Sequence, residues 1–174
     1  MGGMSAPLPV RPDLSDPRLV ALYGYWEAKC AGRVMPTRAD IDPLEMRAWL
    51  GNLLLIDVAG EGRFVYRLYG TGFVNSFGRD MTGRSVDELP PEQQERVRAD
   101  YLSVCASCQP RARLYTAAFE APMAGLHPPQ DPQVVTWERL VLPLSDGHVS
   151  DDGAQVSMLL VGAYPLADLK PSTE

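Results

Sequence analysis

Two short apolar runs, residues 53–58 and 64–69, flank a stretch that holds Gly60 and Gly62. Strand-forming residues on either side of a glycine-bearing turn specify an antiparallel hairpin. Side chains alternate along a strand, so Phe64, Tyr66 and Leu68 share one face of the second arm. The hairpin commits the chain to an antiparallel sheet, and the remaining segments are read by what they add to it. After Pro110 strand-like sequence returns at 112–120, 134–142 and 156–164, parted by Pro- and Gly-rich connections. Those are three further strands.

The helical segments lie before and between these runs. Residues 1–15 are rich in Pro and Gly without an apolar period and form a flexible arm. Asp16 then caps a helix whose first residue is Pro17, and Gly32 ends it. Leu19, Leu22, Tyr23, Trp26 and Cys30 recur at three- and four-residue spacing and make one wide aromatic stripe. A second start at Asp42-Pro43, with Glu45 in the first turn and Ile41 placed to staple onto Met46, predicts a short helix ending near Gly51. Gly70, Gly72, Gly78 and Gly83 break the next stretch into brief helical turns around Phe73, Val74 and Phe77. Pro90-Pro91 opens a longer helix with Glu92 and Glu95 near its positive end. Val97, Tyr101, Val104, Cys105 and Cys108 share its buried face. The order predicts an α+β domain with helices against an antiparallel sheet. Its parts are an arm at 1–15, a helical extension at 16–51, a core at 52–165 and a tail at 166–174.

Size and charge narrow the function. A chain of 174 residues, 45% hydrophobic and 22% charged, fits one folded domain. With a net charge of -6 and arginines scattered among acids, it offers no basic stripe for a phosphate backbone, so nucleic acid is not an expected partner. The longest apolar stretch, 53–58, is far short of a bilayer span, and no membrane association is expected. Three cysteines and no charged-then-apolar leader in the first thirty residues predict a reducing cytoplasm.

Individual polar residues offer little chemistry. Cys105 and Cys108 form a C-x-x-C, but at the far end of a helix, where the dipole disfavours a thiolate; they read as core thiols. No second ligand pair completes a zinc site, and Cys30 stands alone. His127 and His148 fall in Pro- and Gly-rich connections and read as loop residues. Ser76 and Ser85 lack a nucleophile elbow. Asp146, Asp151 and Asp152 lack calcium-loop spacing. Arg67, interrupting an apolar strand, is expected in a structural ion pair. No catalytic residue stands out, and an enzyme is the least favoured class.

The string YRLYGTGFVNSFGRDMTGRSVDEL, residues 66–89, together with the order of elements, resembles a PAS domain. The segment YWEAKCAGRVMPTRADIDPLEM, residues 25–46, is similar to the N-terminal part of a bacterial group of short stand-alone PAS-like proteins. The likeness covers about residues 18 to 165. Gly70, Gly78 and Gly83 suit it physically, because a strand passing into tight helical turns needs positions free of Cβ crowding. The resemblance implies a five-stranded antiparallel sheet in strand order two-one-five-four-three, with short helices on one face above a small cavity. Haem-binding relatives take an axial histidine from the longer helix or its neighbour, and that helix has none. Light-sensing flavin relatives carry a cysteine in a motif like GRNCRFLQ, where this chain has GRDMTGRSV with Met81. Neither haem nor flavin is therefore expected, and the cofactor expectation is none beyond an unidentified small ligand.

On that mapping Tyr66, Leu68, Phe73, Phe77, Val97, Tyr101, Trp137, Met158 and Leu160 line the cavity, or else fill it as core. The expected function is a sensory module that binds a small apolar or amphipathic molecule and signals to a protein partner. A ligand-free interaction domain is the alternative. The breadth of the Leu19, Leu22, Tyr23, Trp26 stripe predicts a homodimer contact through the first helix.

Overall fold

The computed structural model describes residues 9–60, 62–119, 133–150 and 153–166. Helix α1 (Pro17–Cys30) begins where expected: the Asp16 carboxylate accepts from the Arg18 amide at 2.8 Å, and Pro17 takes the first turn. It ends through two left-handed residues, Ala31 at φ 48° and Gly32 at φ 84°. The hairpin is β1 (Leu53–Ala59) and β2 (Arg63–Tyr69). Helix α2 (Thr71–Phe77) and helix α3 (Pro91–Ser107) follow, then β3 (Arg111–Phe119) and β4 (Gln133–Leu144). A two-residue hairpin, β5 (Val149–Ser150) with β6 (Gly153–Ala154), precedes β7 (Met158–Pro165).

The main sheet runs β2-β1-β7-β4-β3, antiparallel throughout. With the small β5 and β6 set aside, this is the expected two-one-five-four-three order. The α+β architecture stands.

Register assigns the two faces. Gly162 in β7 lies opposite Leu53 and Leu140, and a Cβ built on it would meet Leu22 at 2.6 Å and Leu19 at 3.0 Å. Helix α1 therefore rests directly on this face, where a side chain at position 162 has no room. Trp26 Nε1 donates to the Pro143 carbonyl at 2.9 Å, fixing the other end of the helix. At its start, buried Glu138 of β4 accepts from the Ser15 and Asp16 amides at 2.8 and 2.7 Å. A buried carboxylate holding two otherwise orphaned amides locks the entry of the helix. Alternation places Ala163, Arg139 and Leu54 on the opposite face, toward α2 and α3.

Two expectations are corrected here. Leu19, Leu22, Tyr23 and Trp26 are no free dimer surface: they are buried against their own sheet. An apolar stripe satisfies its solvation equally well on its own strands as on a partner's, and Gly162 supplies the fitting groove. The helix expected from Asp42 is instead a series of turns at 43–49, leading to a 3-10 turn, Leu50–Asn52. The cap itself forms, since Asp42 Oδ1 accepts from the Leu44 amide at 2.8 Å and both Ile41 and Met46 are buried. Met46 N still donates to the Asp42 carbonyl at 3.2 Å, but Trp49 N and Asn52 N donate three residues back, to the Met46 and Trp49 carbonyls at 2.9 and 2.7 Å, so the segment continues in tight turns rather than as an α-helix.

The glycines after β2 act as anticipated. Gly78 ends α2 at φ 74°, and Gly83 at φ 79° turns the chain back along the outer edge of β2. There Gly83 N donates to Tyr66 O at 2.7 Å, and Tyr66 N donates to Arg84 O at 3.0 Å. Gly70 serves close approach: a Cβ there would lie 2.4 Å from the Gly51 carbonyl oxygen. The atoms it would meet are all backbone, and the backbone at position 70 fixes where its Cβ lies, so no rotamer relieves the clash. Gly70→Ala is expected to cost at least the ~1–3 kcal/mol of an overpacked site. The urea midpoint of the variant against the parent measures it.

Candidate ligand cavity

Between the sheet and helices α2 and α3 lies a cavity that admits the centre of a water-sized sphere over about 70 Å³. One water needs roughly 10–15 Å³ by the same measure, so the space exceeds a packing defect. Its sheet side is Leu54, Tyr66, Tyr69, Tyr115, Arg139 and Ala163. Phe73 and Phe77 of α2 close one side, and Val97 and Tyr101 of α3 the other. Leu89, Gln93 and Arg96 complete the lining.

The aromatic wall is continuous. Tyr66 meets Tyr69 edge-on with centroids 5.3 Å apart, Tyr69 meets Phe73 at 5.7 Å, and Phe73 stacks on Phe77 at 6.4 Å. Trp137 stacks on Phe73 at 6.0 Å and on Tyr115 at 6.5 Å. Rings in these offset and edge-on arrangements hold one another in place beyond their area burial, so the wall is preformed.

Five of the nine anticipated residues, Tyr66, Phe73, Phe77, Val97 and Tyr101, meet at this cavity. The other four do not line it. Trp137 is buried and backs the wall through its stacks on Phe73 and Tyr115. Met158 and Leu160 share the α1 face with Gly162, as the two-residue period of β7 requires. Leu68 is 36% exposed. Its misplacement has a specific cause: the β1–β2 register shifts between Leu55 and Ile56, so Ile56 pairs with Tyr66 while Leu55 pairs with Leu68. The bulge turns the alternation over, and Tyr69 rather than Leu68 joins Tyr66 at the cavity. Arg67, at the bulge, is ion-paired with Asp57 as expected.

The polar heart of the site was not anticipated. Arg139 enters from β4, and its Nη2 donates to Asp100 Oδ2 of α3. Arg111 and Arg113 place their Nε atoms 3.1 and 3.2 Å from Asp100 Oδ1. Asp100 is fully buried and Arg139 is 6% exposed. The Arg139 guanidinium lies over the Tyr115 ring, 5.0 Å from its centroid. Burial opposes its charge, yet Tyr101, Tyr115 and Asp100 together lift its pKa above the ordinary arginine value. Burial pushes Tyr69 and Tyr115 up to about 12 and Tyr66 and Tyr101 higher still, so all four phenols are neutral hydrogen-bonding groups near neutral pH.

Elsewhere, burial raises the Cys30 and Cys105 thiols to about 11 and raises Cys108 as well, which fits protonated packing groups. Ser85 caps a 3-10 turn, accepting from the Asp87 amide at 3.2 Å, and Ser76 is half-buried on α2. His148 is exposed, and its amide donates to Asp146 Oδ1 at 2.8 Å. His127, Asp151 and Asp152 lie outside the described residues. Among the described residues no cluster of His, Cys, Asp and Glu is arranged to hold a metal, and no helix is long and apolar enough to cross a membrane.

The PAS domain family matches residues 14–159 of the chain. No curated protein matches it. Among solved structures, the light-state blue-light photoreceptor Aureochrome1 LOV is similar at a TM-score of 0.42 and 11% identity, over 71% of this chain and 87% of that one. A sensory box sensor histidine kinase from Vibrio cholerae is similar at 0.39 and 18% identity, over 70% and 87%. An RNA-binding Light-Oxygen-Voltage receptor is similar at 0.39 and 17% identity, over 71% of this chain and 31% of that one.

Proposed function

The chain belongs to the PAS domain family, and on that premise we propose that it is a sensory module whose cavity binds a small amphipathic molecule and whose bound state is read by another protein. The observation that carries this reading is the preformed aromatic cavity, which keeps open space where a purely structural core would close. Binding without turnover fits the lining, which among the described residues contains no Ser, Thr, Cys, His, Asp or Glu. The same lining gives haem no axial histidine and a flavin no adduct cysteine, so the purified protein is expected to be colourless.

Signalling then requires that ligand favour one of two states of the domain. Helix α3 carries Val97, Tyr101 and Asp100 on one face, so a ligand that moves the cavity wall also moves the helix. The partner, a second copy or another protein, docks on a surface other than the α1 stripe, which is committed to its own sheet.

Native mass spectrometry of the freshly purified chain tests the reading, with a thermal-shift screen of small amphipaths beside it. A retained molecule, or a compound that raises Tm and loses its effect in Val97→Trp, supports it. A protein that carries nothing and responds to nothing is a ligand-free interaction domain.

A further inference from the structure

Resting on the ligand-binding reading above, we propose that the cavity selects a small amphipathic carboxylate, an aryl or short alkyl acid, whose carboxylate pairs with Arg139 while its apolar body lies along the tyrosines and phenylalanines.

Charge is the first ground. Arg111, Arg113 and Arg139 are all ion-paired to one carboxylate, Asp100. Three guanidinium groups on a single buried acid leave a local excess of positive charge. Arg111 and Arg113 are about 40% exposed at their side chains, so water screens them, but the Arg139 side chain is 7% exposed and has no such relief. Arg96, at the cavity, adds another cation. It hydrogen-bonds the carbonyls of Thr116 at 3.4 Å and Glu92 at 3.5 Å, contacts that leave its charge uncancelled. Asp80 acts on the wall through a repulsion on Tyr69, and it is exposed.

Geometry is the second ground. Arg139 Nε is a buried donor with no hydrogen-bond partner, on a side chain that lines the cavity. A buried unmet donor on a cation is costly, and a planar carboxylate meets a guanidinium edge with two oxygens at once. The tyrosine hydroxyls, neutral because burial holds their pKa high, supply further donors without competing charge. A neutral apolar molecule would fill the space but leave that donor and that charge as they are. The small volume favours a single ring or a short chain over a long acyl tail.

The test uses the intact chain and four matched pairs: benzoate, phenylacetate, 3-phenylpropionate and octanoate, each beside its primary amide, titrated by calorimetry. At least one acid is expected to bind tenfold or more tightly than its amide. Arg139→Gln, which leaves Asp100 paired with Arg111 and Arg113, is expected to erase that preference, and Arg96→Gln to weaken it several-fold. Should Arg139→Gln fail to fold, the acid-to-amide ratio in the parent protein decides alone. An amide that binds as well as its acid overturns the carboxylate assignment while leaving ligand sensing standing. Absence of binding by every acid at millimolar concentration also overturns it, and the retained-molecule experiment then judges the sensory reading separately.

Discussion

Replacing Leu22 and Trp26 together by aspartate is expected to unfold the domain rather than release a folded monomer. Both side chains are fully buried between α1 and the sheet, Leu22 over the Cβ-free patch at Gly162 and Trp26 anchored to the Pro143 carbonyl. Truncating a buried leucine costs about 2–5 kcal/mol and a buried tryptophan about 3–5 kcal/mol, before any penalty for burying charge. Together these reach the ~5–15 kcal/mol that holds an ordinary domain folded. Circular dichroism and thermal melting should show loss of the cooperative transition, with light scattering reporting aggregates or an expanded chain. A variant that melts cooperatively near the parent temperature would mean that α1 detaches from its sheet and that the stripe serves another surface.

That helix shows where the sequence was legible and where it was not. Its start, its end and its apolar stripe were all readable, because caps and a period of three to four are local signals. What covers the stripe was not readable from the stripe itself, since a second copy and a neighbouring strand present the same solvent to it. The missing signal sat far away, in a lone glycine within the apolar run of β7: a strand glycine with normal backbone geometry marks close approach of another element. The strand order and the glycine roles followed from the family likeness. The phase error at Leu68 arose because one bulge inverts the alternation, and no residue type in β2 announces a bulge. Arg139 did carry a signal. Glu138 and Arg139 are adjacent charges inside an otherwise apolar strand, and period two sends one to each face. Glu138 holds the start of α1, and Arg139 reaches the cavity. Two neighbouring charges in a central strand call for two separate partners, and here these are the Ser15 and Asp16 amides for Glu138 and the Asp100 carboxylate for Arg139.

Asp100→Ala is expected to be the most damaging single substitution around the cavity. It strands the Arg139 guanidinium in a buried position with its one carboxylate removed, at a cost of about 3–5 kcal/mol for a broken buried pair. Arg111→Ala, which removes a side chain 40% exposed, should cost no more than about 1 kcal/mol through the same ion cluster. The contrast identifies burial, rather than the number of charges, as the source of the effect. In the double variant Asp100→Ala with Arg139→Met the stranded charge is gone, so much of the loss should return, and urea midpoints for the parent, both single variants and the double variant close a cycle that measures the coupling. If Asp100→Ala costs no more than Arg111→Ala, then the tyrosine wall and water already satisfy Arg139. The unmet Arg139 donor on which the carboxylate proposal rests would then already be met.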